Sequence, residues 1–311
     1  MITQEARKQI AKHVVPVPDF GLPSPAVDLF REATVVGLGA TVRHATHAAA
    51  AMSSLIGRLI SDYAFEAIAI EGTDPPYDTG SALDGYVTHG RGDPKSIIQS
   101  SQGFLHNREF LDFILALRAH NEHGSGPLVR IVHGAERGRP VNSLVEIEQE
   151  LANQVLFWRR RTGHKVIRWG GAAHVIAADP RGISVGNGLD ANLLHRNAGG
   201  HLRAALGDNY ASVAVTVGEV ESGSDYTAIP AAPPSFFESA LQTSSETVWL
   251  TTRGTSPIAD SWIDSSLRIR CVGPTYDPAR DSNYYTTAPR VRGSVDGFLH
   301  IRKSASMMRL F

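Results

Sequence analysis

The chain has 311 residues, 42% of them apolar, with a formal net charge of −1. That length can bury a sizeable core, and the near-zero charge gives no electrostatic case for nucleic acid or an anionic membrane. One cysteine, Cys271, excludes an intrachain disulfide and suits a reducing cytoplasm, no run approaches the roughly 20 apolar residues of a membrane span, and the charged N-terminal stretch does not read as a signal peptide.

In chain order, ATVVGL (33–38) reads as the first strand. Residues 45–63 carry Met52, Leu55, Ile56, Leu59, Ile60 and Tyr63 at i, i+3, i+4, i+7 spacing, which predicts a helix with one buried stripe. EAIAIE (66–71) is the second strand. A helix over 107–120 follows, with Phe110, Phe113, Ile114 and Leu117 on one face, and then a strand, LVRIVH (128–133). A further helix over 144–158, with Leu144, Ile147, Leu151, Val155 and Phe157, precedes the strand KVIRW (165–169). YASVAVTV (210–217), ETVWLTT (246–252) and GFLHI (297–301) complete the set with less helix between them. Alternating strand and helix predicts an α/β fold: a largely parallel central sheet flanked by helices, becoming mixed toward one edge. Turn-rich stretches such as GTDPPYDTG (72–80) are local, so a single domain over 1–311 is expected.

In an open parallel sheet, ligands sit beyond the carboxyl ends of the strands. Three strand ends carry chemistry. The first continues as VVGLGATVRHATH, where Gly37 and Gly39 are expected to turn the chain into the helix. Val42 stands where a dinucleotide fingerprint needs its third glycine. Arg43 and His44 fall at the helix entrance, and the spacing of His44 and His47 predicts a shared face. A helix N-terminus and Arg43 both favour a neutral imidazole, which can accept a proton. The second end carries Glu71, expected on a neighbouring strand end beside Arg43, either as a working group or as its salt-bridge partner, because a buried carboxylate needs one. The third is WGGAAHV (169–175), where Gly170 and Gly171 permit a tight turn before His174. Two histidines without a clear third ligand are weak evidence for a metal, so neither a metal nor a cofactor is expected. Asp84, His89 and His201 read as surface or packing residues, and Cys271 as packed.

These segments resemble the erythromycin esterase (succinoglycan-biosynthesis-like) hydrolases over about residues 30–303. VVGLGATVRHATH is similar to that family's Leu-Gly-Glu-x-x-His-Gly opening, FEAIAIEG to its strand ending in glutamate, and KVIRWGGAAHV to its strand followed by Trp-Ala-His-Asn-x-His. FLHNREFLDFILALRAHN, GGHLRAALGDNYASVAVTVGE and LRIRCVGPTYDP…VDGFLHI match further blocks. The resemblance implies a metal-independent hydrolase ancestry in which a histidine, supported by acidic residues, activates water against an ester. The departures are specific. The motif glutamate falls on Ala40, the histidine proposed as general base on Arg43, the following glutamate on His47, a helix arginine on Met52 and the first histidine of the later pair on Gly171. Glu71 and His174 remain at the family's active positions. A helical insertion between Gly134–Glu136 and Leu144 is expected to be shortened, leaving the cleft more open.

Arginine cannot serve as a base. Arg43 is therefore expected to clamp a carboxylate or hold an oxyanion or enolate, with Glu71, His174 or His44/His47 moving protons and Trp169 and Gly171 against the substrate. The leading expectation is a cytoplasmic tailoring enzyme that carries out cyclisation, elimination or isomerisation on a small-molecule or peptide natural-product intermediate. Self-association as a homo-oligomer is compatible with it. The alternatives are an ester or lactone hydrolase with a relocated histidine base, and a non-catalytic binding pseudoenzyme.

Overall fold

Strand side chains alternate between the two faces of a sheet, and the apolar runs of this chain are buried on both. The computed structural model describes residues 2–311 apart from 75, 125, 135–142, 187–193, 256–259 and 274. Its strands are β1 (Val14–Pro16), β2 (Val35–Ala40), β3 (Phe65–Ile70), β4 (Arg130–Ile131), β5 (Lys165–Gly171), β6 (Gly182–Val185), β7 (Tyr210–Val220), β8 (Thr247–Thr251), β9 (Leu267–Arg270), β10 (Tyr284–Ala288) and β11 (Gly297–Ser304). Eight form one sheet in the order β1-β8-β11-β7-β2-β5-β3-β4, and β6-β10-β9 form a smaller antiparallel sheet. From β11 to β4 all neighbours are parallel, whereas β8 runs antiparallel to β11 and β1. The sheet is thus mixed at one edge, as the pattern implied. The short strands β1, β6 and β10 are not singled out by periodicity.

Leu38, Ile68, Ile70 and Ile167 pack on one face with Met52, Leu55, Ile56 and Leu59 of the helix Thr46–Tyr63 and with Phe110, Phe113 and Ile114 of the helix Arg108–His123. Val35, Ala67, Ala69 and Val166, one residue out of step, pack on the other face against the helices Leu144–Thr162 and Ala198–Leu206. Each fully buried aliphatic side chain of this kind stabilises the fold by roughly 1.5–3 kcal/mol.

Three differences from the sequence reading set the site. First, β5 lies between β2 and β3, so the ends carrying Arg43 and Glu71 are not adjacent. The pairs Ala40↔Gly171 and Ile70↔Trp169 bring all three ends level. Second, Gly37 and Gly39 lie inside β2 and turn nothing. A Cβ on Gly39 would stand 2.7 Å from the Ala172 Cα, so its absence lets the short helix Ala172–Val175 lie directly on the strand. Third, the helix Leu144–Thr162, started by a Ser143–Glu146 capping box, buries Glu148, Leu151, Ala152, Val155 and Trp158. Ile147 is 40% exposed. The buried stripe is rotated from the expected one because Trp158 and Val155 fill the sheet face, and this rotation carries Glu148 inward.

Candidate functional site

β5 ends in two glycines, and the site is assembled over them. A Cβ on Gly170 would collide with the Glu71 carboxylate, and one on Gly171 would lie 2.6 Å from Arg43 Nη2. In their absence, Glu71 from the end of β3 and Arg43 from the turn after β2 meet across the intervening strand. Arg43 Nη2 donates to Glu71 Oε1 at 2.5 Å, and the Gly171 N–H donates to Glu71 Oε2 at 2.8 Å. The Arg43 guanidinium also lies 4.1 Å from the centre of the Phe104 ring. Burial alone would raise the Glu71 pKa, but Arg43, then His174 and Arg168, outweigh it and hold the carboxyl well below the usual range. Glu71 is a fixed anion here rather than a group that exchanges protons near neutrality.

His174 continues the chain of contacts. Its Nε2 is 3.3 Å from Glu71 Oε1, and its Nδ1 is 2.8 Å from Glu148 Oε1. Glu148, with no exposed surface, also takes Arg181 Nη1 at 2.7 Å and the Ala198 N–H at 2.8 Å. Burial pushes the Glu148 pKa up, but His174 and Arg181 outweigh it and lower it. Arg181 is fully buried, donates to the Ala173 carbonyl at 2.9 Å and meets His195 Nε2 at 2.6 Å. The result is an alternating series, Arg43–Glu71–His174–Glu148–Arg181. Both ring nitrogens of His174 face carboxylate oxygens, but only Nδ1, toward Glu148, has hydrogen-bond geometry; Nε2 stands beside Glu71 without making one.

The other expected histidines are elsewhere. The helix begins at Thr46, so His44 precedes it and does not share a helical face with His47. The buried His44 ring stacks on Tyr226 with centroids 4.6 Å apart. Burial, rather than a helix terminus, takes its pKa down to about 4. His47 Nδ1 lies 3.2 Å from Ser304 Oγ. Neither residue lines the cavity of about 50 Å3 beside Arg43 and Glu71, whose walls include Trp169, Phe104, Phe110 and Met307. The Trp169 ring is held 5.2 Å from Phe110 and 4.8 Å from Phe113. Gly171 contributes clearance and one N–H.

Sequence reading missed Glu148 and Arg181. A signal was present for the first: Glu148 is three and seven residues before Leu151 and Val155, a carboxylate at an apolar-face position. Asp84 is also more engaged than a surface residue. It takes Arg130 Nη2 at 2.6 Å, the Ile131 N–H at 2.9 Å and His133 Nε2 at 3.2 Å. Burial raises its pKa, but His133 and Arg130 bring it down to about 2. Cys271 is half-buried, with burial pushing its thiol up to about 11. Among the described residues no group of three or more His, Cys, Asp and Glu side chains is placed to hold a metal ion, and no helix is long and apolar enough to cross a membrane. The shortened insertion falls largely on 135–142, outside the described residues.

The profile of the erythromycin esterase family matches residues 129–304, more than half of the chain. The chain belongs to the erythromycin esterase family. The matched block holds His174, Glu148 and Arg181, while Arg43 and Glu71 precede it. Solved structures extend the likeness across the whole fold. A Bacillus cereus protein is 15% identical, with 97% of this chain and 98% of its own covered and a TM-score of 0.77. A succinoglycan biosynthesis protein is 16% identical, with 100% and 99% covered and a TM-score of 0.76. A histidine variant of the erythromycin esterase EreC in its open conformation is 11% identical, with 94% and 97% covered and a TM-score of 0.65. No curated protein sequence matches significantly. At these identities the structures establish the esterase-family fold, a large central sheet flanked by helices.

Proposed function

We propose that this family member is an enzyme in which His174 carries protons and Arg43 holds developing negative charge, and that it performs non-hydrolytic acid/base chemistry on a carbonyl-bearing natural-product intermediate. Cyclisation, elimination and isomerisation all fit that description. The observation that carries this reading is His174 held between Glu71 and Glu148, 3.3 and 2.8 Å away. With Nδ1 bonded to Glu148 and Nε2 standing beside a second carboxylate, the ring is placed to hold and deliver a proton, whereas hydrolysis by general-base catalysis needs a neutral imidazole with a nitrogen turned to water. His44, whose ring burial keeps neutral, is stacked on Tyr226 and does not line the cavity; His174 is not among the lining residues either, but it stands beside Glu71, which is. Glu148 fixes the ring's orientation from behind, and Arg43 retains donors beyond the one given to Glu71, enough to hold an oxyanion or enolate.

Family membership and the Glu148–His174 pairing favour a second reading, ester or lactone hydrolysis with His174 as the relocated base. It requires Nε2 to leave Glu71 when substrate enters. Turnover in 18O-labelled water separates the two: the first reading expects products without solvent oxygen, and a labelled carboxylic acid overturns it in favour of hydrolysis. Unchanged rates in His174→Ala and Arg43→Ala would sink both.

A further inference from the structure

The cavity beside Arg43 and Glu71, at about 50 Å3, has room for a reacting group and little more. It adjoins a cleft of about 390 Å3 between the helices Thr46–Tyr63 and Arg108–His123, and Ala49, Ser53 and Glu109 line both spaces. That volume is within the roughly 300–1,000 Å3 of ligand pockets. Both helices run from the carboxyl-end side of the sheet toward its amino end. The cleft follows the first from Thr46 to Ile60, roughly 20 Å at 1.5 Å per residue.

The sequence keeps this space open. Ala49, Ala50, Ser53 and Gly57 recur on one face of the first helix, opposite Ala116 on the second, while Ile56, Ile60, Phe113 and Leu117 make the remaining walls apolar. Gly57 costs a helix about 1 kcal/mol relative to alanine. A Cβ there would meet nothing within 4 Å, so no packing contact demands the glycine. At the junction with the reactive cavity stands Glu109. Its Oε1 accepts from Thr46 Oγ1 at 2.9 Å, while its Oε2 is shielded from solvent and has no hydrogen-bond partner among the described residues. Asp112, also in the lining, is half-exposed and paired with Arg108 at 2.9 Å, so Glu109 is the carboxylate that faces the junction; neither Lys nor Arg lines the cleft, and His120 stands at its far end. A shielded carboxylate oxygen without a donor is costly unless a ligand supplies one.

We propose that the cleft binds the body of the substrate, an elongated aliphatic chain with an ammonium or hydroxyl group close to its reactive carbonyl, and that Glu109 accepts from that group. This rests on the reaction taking place at Arg43, Glu71 and His174, and it adds the substrate class. The test is calorimetric titration of the full chain with n-decylamine, n-decanol and decanoate below their aggregation concentrations. Decylamine should bind about tenfold more tightly than decanol, the difference between a charge-assisted and a neutral hydrogen bond. Gly57→Leu, which fills the cleft and removes a helix-weakening glycine, should weaken decylamine at least about tenfold with no loss of melting temperature. Ala116→Leu on the facing wall should weaken it likewise. Glu109→Gln should erase the preference for amine over alcohol while keeping the alcohol. His174→Ala should bind all probes as the parent does even where turnover is gone, so failure of the chemistry and failure of the cleft are read separately. Decanol binding as tightly as decylamine, the absence of binding by all three, or affinities unchanged in both leucine variants overturns the proposal.

Discussion

Glu148→Gln is the most informative single change. Glu148 has no exposed surface, accepts from His174 Nδ1 and the Ala198 N–H, both at 2.8 Å, and forms an ion pair with Arg181 Nη1 at 2.7 Å. Glutamine keeps the shape but replaces one acceptor oxygen with a donor nitrogen. Whichever way the amide is turned, a buried N–H then faces another N–H, at about 1–3 kcal/mol. Arg181 also loses its countercharge while staying buried, and breaking such a pair costs about 3–5 kcal/mol. These effects overlap in one network and do not add, so about 3–5 kcal/mol in total is expected. At roughly 2–4 °C per kcal/mol the melting temperature should fall by about 6–20 °C, read by circular dichroism at pH 7. His174→Ala is the control. It leaves Glu148 with Arg181 and Ala198, and should cost less than about 2 kcal/mol while removing activity as completely. A Glu148→Gln protein melting within about 2 °C of the parent refutes the account of Glu148 as the buried hub of the site.

Two further outcomes follow from neighbouring groups. Gly171→Ala puts a Cβ 2.6 Å from Arg43 Nη2, the mobile end of a long side chain. The fold should persist while Arg43 swings off Glu71 and kcat/KM falls to the level of Arg43→Ala, and parental activity would contradict the bridging geometry. Glu238 offers a pH test: burial, opposed by Arg270, pushes its pKa up from 4.5 to about 7. The native state therefore keeps a proton that the unfolded chain releases, so stability falls as pH rises from about 4.5 to 7, by up to about 3 kcal/mol. Glu238→Gln should flatten that slope, melting higher than the parent at pH 8 and no higher at pH 4. Parallel melting curves across that range argue against it.

Much of the fold was legible in apolar periodicity. The runs at β2, β3, β5, β7, β8 and β11 are β-branched and bounded by turns, and the helices over 46–63 and 108–123 carry unambiguous stripes. Strand order was not legible, because periodicity says which residues are buried and nothing about which strands pair; β5 between β2 and β3 had no local signature. That Arg43, Glu71 and His174 would gather at one end of the sheet was readable from a carboxylate ending a buried strand and a histidine following two glycines. The site's full membership was not. Helical spacing was applied to His44 two residues before the helix begins, and the stripe of the 144–162 helix was set on Ile147 when its neighbour Glu148 was the buried residue. In both places tertiary contacts overrode the local pattern: ring stacking on Tyr226 for His44, and the pairing with His174 and Arg181 for Glu148.

The two glycines that end β5 also bear on how such a site changes over evolutionary time. Side chains from β3, the turn after β2 and the helix after β5 converge over a stretch of strand with no side chains of its own. Position 43 reaches that stretch from a turn and is held there by its tip. A long polar residue of another kind can take the place of arginine without moving the sheet beneath it. The identity of the side chain at position 43 and the architecture beneath it are thereby separable in this fold.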